Sequence, residues 1–147
     1  MILKIFKAFW FLSMLVVLAN LLYVYAALPE VVVVQDEADG RIMAGKEVFF
    51  YALTAVLLIV NATVYLTTRI FADDESFRAW FHGLIITMNI FFVFALNLIQ
   101  VYNSNETFDF SRVGFMIYGS VMLMVGWALA WPVYAIYRKL FAKQVVV

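Results

Sequence analysis

Apolar positions in this chain fall into four unbroken runs, Ala8–Pro29, Val48–Thr68, Ala79–Asn105 and Val113–Tyr137, parted by short charged connections. A hydrocarbon layer of about 30 Å requires about 20 apolar residues in helical form, and each run meets that length. Within the runs the apolar side chains point to every side of a helix rather than along one stripe. That pattern fits helices with lipid on one flank and protein on the other. It predicts helices near 5–27, 48–70, 77–101 and 113–137, with longer connections at 28–47 and 102–112 on one side. An open sheet would leave backbone groups unpaired in hydrocarbon, and barrel strands would alternate where these runs do not. The expectation is an all-α integral membrane four-helix bundle, one domain over 1–147.

Charge supplies the orientation. With alternating crossings, Lys4, Lys7, Arg69, Arg78, Arg138, Lys139 and Lys143 share one side, against Arg41, Lys46 and Arg112 on the other. The positive-inside bias therefore predicts cytoplasmic N and C termini, with the Ala72–Ser76 turn on the same side. Acidic residues run the other way: Glu30, Asp36, Glu37, Asp39, Glu47, Glu106 and Asp109 fall outside, whereas Asp73, Asp74 and Glu75 fall inside. Aromatic residues mark the same boundaries, with Trp10, Trp80, Tyr134 and Tyr137 at the expected inner interface and Tyr23, Tyr25, Tyr51 and Tyr102 at the outer one. Amphipathic rings prefer the headgroup level.

Composition narrows the chemistry. Hydrophobic residues make up 67% and charged residues 14% of the 147 positions, whereas soluble domains carry about 45–50% and about 25%. The formal net charge of zero supplies no field to draw nucleic acid. Cysteine is absent, which removes disulfides, thiolate nucleophiles and thiolate metal ligands. Lys4 and Lys7 before an apolar stretch, with Val24-Tyr25-Ala26 after it, resemble a secretory leader. The apolar stretch exceeds the roughly 7–15 residues of a leader, so a retained first helix is expected. No internal repeat suggests an inverted-repeat transporter.

The third helix holds the most polar line. At about 100° per residue, His82, Asn89, Asn97 and Gln100 occupy an arc of about 80° facing one neighbour. Such a stripe either lines a path for protons or small polar solutes, or binds helices together through amide bonds to Asn20 and Asn61. Packing is the favoured reading, and His82, the only histidine, is expected at the interface beside water or a headgroup. In the fourth helix Gly126 and Ala130 form a small-x-x-x-small pair that permits close backbone approach. Pro132 cannot donate to the Ala128 carbonyl, so a bend is expected there. Asp36, Glu37 and Asp39 before Gly40 lack the spacing of a calcium loop and read as a solvated turn. Val31–Val34 reads as a short extended segment on the membrane surface. Asn105-Glu106-Thr107 fits a glycosylation triplet.

Leu28-Pro29-Glu30, followed by Val32, Val34 and Gly40, resembles the segment L-P-x-x-V-P-V-H-F-x-x-x-G. That segment marks a bacterial membrane domain of unknown function found in SdpI-type immunity and signalling proteins. Val33 stands where proline is usual in it and Gln35 where histidine is usual. The resemblance implies a small multi-pass protein of a bacterial inner membrane and no catalytic residues. The residues themselves offer no nucleophile, base and metal ligands in one place, so no enzyme activity, cofactor or metal is expected. The expected partners are the lipid bilayer and other membrane proteins, and the expected role is a small accessory subunit. Immunity or stress sensing at the outer loop and a small transport path are the alternatives.

Overall fold

A computed structural model describes residues 1–37, 40–104 and 110–141, without the side chains of 35–37 and 110–112. Asp39, the Asn105-Glu106-Thr107 triplet and Lys143 lie outside the described residues, as do the side chains of Asp36, Glu37 and Arg112. The chain forms four helices, α1 (Ile2–Ala27), α2 (Lys46–Ile70), α3 (Glu75–Tyr102) and α4 (Phe110–Phe141), with two strands, β1 (Val31–Glu37) and β2 (Gly40–Gly45), between α1 and α2. All four helices are long and apolar enough to cross a membrane. Large apolar residues such as Phe9, Leu12, Leu58, Ile59 and Leu129 stand exposed along them. The architecture is compatible with a multi-pass membrane protein.

The helices outrun the apolar runs because backbone hydrogen bonding does not stop where charge begins. Lys4 and Lys7 lie within α1, and α4 continues through Arg138 and Lys139. Helix α3 starts where Asp74 caps it, its carboxylate accepting from the Phe77 N–H at 2.9 Å. That bond satisfies one of the four free N–H groups of a helix start. Pro132 sits inside α4, and the helix runs on through it.

α3 is the hub. It packs against α1 on one side and α4 on another, while α2 closes against α3 and more lightly against α1. The backbone of α4 packs on α3 and not on α1 or α2, so the expected four-sided bundle is a three-helix core with an appended fourth helix. Phe6 of α1 still reaches Trp127 of α4, with ring centroids 5.8 Å apart. α1 and α3 run parallel, as shown by the contacts of Met1 with Glu75, Trp10 with His82 and Asn20 with Val93. The amino termini of both helices thus lie at one end of the molecule, and the strands lie at the other.

The connection from Leu28 folds into a hairpin, and the turn expected at Asp36–Asp39 falls partly outside the described residues. β1 and β2 pair antiparallel from Val31↔Gly45 to Glu37↔Gly40, with an irregularity between Val33 and Gln35. Gly40 adopts φ +148°, where a Cβ would be strained, which accounts for glycine at the start of β2. The Lys46 N–H donates to the Glu30 carbonyl at 2.9 Å and closes the base of the hairpin. Val32 is fully buried against Val17, Leu21, Val24, Leu57 and Leu96, so β1 plugs the end of the helical core. The extended segment expected from Val31–Val34 is present, with a partner strand that its sequence did not announce.

Candidate functional site

Two amides meet in the centre of the three-helix core. Asn61 shares the inward face of α2 with Leu57 and Val64, and Asn89 shares that of α3 with His82, Ile85 and Leu96. An amide in apolar surroundings must find partners, because no water compensates its donors and acceptor. Asn61 and Asn89, 5% and 1% exposed, satisfy each other. Asn61 Nδ2 donates to Asn89 Oδ1 at 3.0 Å, and Asn89 Nδ2 donates to Asn61 Oδ1 at 3.0 Å.

The remaining groups find partners nearby. Asn61 Nδ2 also donates to the Leu57 carbonyl at 2.9 Å, and Asn89 Nδ2 to Ser13 Oγ at 3.0 Å. Trp10 Nε1 donates to Asn61 Oδ1 at 3.0 Å, and Ser13 Oγ to the Trp10 carbonyl at 2.8 Å. Both N–H groups of each amide are therefore engaged, in a closed, uncharged set joining α1, α2 and α3. Trp10 was expected at the headgroup level; instead it is buried, because its indole N–H completes the Asn61 oxygen.

His82 is likewise buried, not turned to water or a headgroup as expected. It is 1% exposed, covered edge-on by the Trp10 ring at 5.8 Å. Its Nδ1 lies 2.6 Å from the Arg78 carbonyl. A carbonyl oxygen only accepts, so Nδ1 carries the hydrogen. Asn20 does not join the amide pair but reaches the Val93 carbonyl at 3.4 Å. Asn97 and Gln100 are half-buried, two and three turns beyond Asn89, and stand apart from the pair. The arc on α3 is thus a shared direction and not a continuous contact line.

A second polar device joins α3 and α4. Trp80 Nε1 donates to the Trp127 carbonyl at 2.8 Å, and Trp127 Nε1 donates to the Trp80 carbonyl at 2.9 Å. Each indole thus bonds the other residue's backbone, which requires the two helices to lie close. Gly83 provides the space: a Cβ there would overlap the Trp127 indole ring. Trp131 extends the contact onto Phe77 and Trp80, with centroids 5.1 and 5.7 Å away. Trp80 therefore turns its N–H into the protein and not toward headgroups. Gly126 and Ala130 occupy a different side of α4, exposed, and a Cβ on Gly126 would meet nothing within 4 Å.

At the strand end, Asn103 takes the place of a third strand. Its Oδ1 accepts from the Val33 N–H at 2.7 Å, and its Nδ2 donates to the Val33 carbonyl at 3.0 Å. The same Nδ2 donates to the Ile99 carbonyl at 2.9 Å, which ties β1 to the end of α3. Leu28 is buried under the hairpin, whereas Pro29 and Gly40 are exposed. Among the described residues no three His, Asp or Glu side chains come together at metal-ligand spacing. Compared with known proteins, the chain matches no family model, no curated protein and no solved structure.

Proposed function

We propose that this chain is a non-enzymatic, multi-pass integral membrane protein serving as a small accessory subunit of a larger bacterial inner-membrane assembly, with both termini cytoplasmic. One observation carries the reading. The buried amides of Asn61 and Asn89 are taken up by each other and by their neighbours, whereas the described residues of α4 leave one side uncovered, including Gly119, Gly126 and Ala130. Lipid-facing helices associate through close packing at small residues, and this is the side of α4 suited to it. Purification of the native chain in mild detergent tests the proposal. The expected outcome is co-purification of other membrane proteins, weakened by Gly126→Leu; a lone, monodisperse monomer would refute it. Because the chain lacks cysteine, Met43→Cys and Asp73→Cys can be labelled cleanly. The two should react from opposite faces of the membrane, and reaction from one face would overturn the orientation.

A second reading has its own support. The residues that resemble the SdpI-type segment supply β1 of an anchored hairpin whose second strand exposes Ile42 and Met43, which suits recognition of a peptide at the membrane surface. Cells lacking the gene should then become sensitive to membrane-active peptides; unchanged sensitivity would dispose of this role. A path along His82, Asn89, Asn97 and Gln100 has less in its favour, because neither N–H of Asn89 is left for a passing solute.

A further inference from the structure

β1 and β2 form a two-stranded sheet, so each strand has one outer edge. The two edges differ. That of β1 is closed by Asn103, which bonds both the N–H and the carbonyl of Val33. In an antiparallel ladder, opposed residues turn these groups toward each other or both away, in alternation. Val33 turns its groups away from β2, whereas the bond from Lys46 to Glu30 places that opposed pair inward, as the alternation requires. Met43, opposite Val33, therefore turns its N–H and carbonyl outward. Among the described residues nothing bonds to them, and Met43 is 56% exposed. Unpaired backbone groups along a sheet edge are a template for a further strand.

Three observations point to β2 of a second copy as that strand. Paired antiparallel about Met43, the segment Gly-Arg-Ile-Met-Ala-Gly sets Met43 against Met43, Ile42 against Ala44 and Arg41 against Gly45. Away from the centre, each long side chain then meets a short one. Charge agrees: Glu47, exposed at the start of α2, falls on the diagonal from Arg41 of the other copy. So does orientation. The two-fold axis between antiparallel strands stands normal to their sheet. The face that buries Val32 rests on the helix ends against Val24 and Leu96, so this axis runs along the helices. Two copies joined about it stand upright in one bilayer.

We propose that the outer edge of β2 is a homodimer interface, pairing antiparallel with itself about Met43. The Met43 N–H of each copy donates to the Met43 carbonyl of the other, and the two hairpins become one continuous sheet. The interface is isologous, the same patch on both copies. It does not depend on which assembly the chain joins.

The test uses the full chain diluted in lipid vesicles. The chain has no cysteine of its own, so Met43→Cys can be bridged by a short thiol-to-thiol reagent. It should yield covalent dimers, whereas Val31→Cys, exposed but on the far strand, should stay monomeric. Mixed chains read the register: Ile42→Cys with Ala44→Cys should join faster than either variant with itself. Met43→Pro removes the outward N–H and spares the bonds between β1 and β2. It should weaken dimerisation about ten-fold in a fluorescence-transfer titration, as the loss of two hydrogen bonds predicts. Should Met43→Pro fail to fold, Arg41→Glu should weaken pairing and Arg41→Glu with Glu47→Arg should restore it. The proposal is overturned if Met43→Cys gives no dimer, if Val31→Cys gives as much, or if the folded edge variants pair as the parent does. It is equally overturned if, in native membranes, Met43→Cys is joined to another protein and not to its own kind. Failure on the purified chain leaves the accessory-subunit reading standing, because that reading is tested by the proteins that co-purify.

Discussion

Replacing Asn89 with alanine removes three hydrogen bonds at once: its two reciprocal bonds with Asn61 and its bond to Ser13 Oγ. Interhelical polar bonds in membrane proteins contribute about 0.6 kcal/mol on average, with a ceiling of about 1.7. Three bonds therefore set the loss at roughly 2 kcal/mol. Asn61 keeps Trp10 Nε1 on its oxygen and the Leu57 carbonyl on its nitrogen, so the change does not orphan a whole amide. A double-mutant cycle with Asn61→Ala isolates the two reciprocal bonds, for which the coupling should be about 1–2 kcal/mol. The assay is reversible unfolding in mixed micelles, followed by tryptophan emission. Coupling below about 0.3 kcal/mol would mean that the pair does not hold α2 to α3, and the packing account of the polar core would fail.

Three further predictions test the other contacts. Gly83→Ala should force Trp127 aside and break its pair of indole–carbonyl bonds, destabilising the chain by about 1–3 kcal/mol and shifting tryptophan emission. Gly126→Ala should cost the isolated chain nothing in the same unfolding assay, and up to about 1 kcal/mol of helix propensity favours it. Asn103→Ala should free β1 from α3, so that the Val33 amide exchanges with solvent faster while the amides of α2 keep their protection.

Much of this was legible in the residues, and the failures share a cause. The expected helices start within two residues of α2 and α3 and clip α4 at both ends, because the apolar run stops at Val113 and Tyr137 and the helix does not. The periodicity of α3 gave the direction of Asn89 correctly. It said nothing about depth, and depth decides that Asn61 meets Asn89 while Asn97 and Gln100 stand apart. In α4, apolar on all sides, no moment distinguishes the side facing α3, so Gly126–Ala130 looked like the close approach that Gly83 makes. One signal was available: Trp127 and Trp131 lie four apart, and a ring pair of that size on one face calls for a small residue opposite. The docking of β1 on the end of α3 rests on Asn103, 70 residues from Val33, and no local pattern announces it.

The two polar devices divide the molecule unequally. In the proposed lipid setting the hydrophobic effect between helices contributes little, so what orders them is packing and hydrogen bonding. α1, α2 and α3 are fixed by a network whose amides are saturated from three helices, which sets their rotation and depth together. α4 is fastened by the two indole–carbonyl bonds and the rings around them, toward the end that carries the Phe71–Asp74 turn, and by apolar contact elsewhere. Loss of the Trp80–Trp127 bonds should therefore release α4 while the other three helices stay together, whereas loss of Asn61 or Asn89 should loosen the core as a whole. Cross-linking of α1 to α3 in a Gly83→Ala background separates these outcomes: if that seam opens along with α4, the core and the fourth helix are one cooperative unit and the division is wrong.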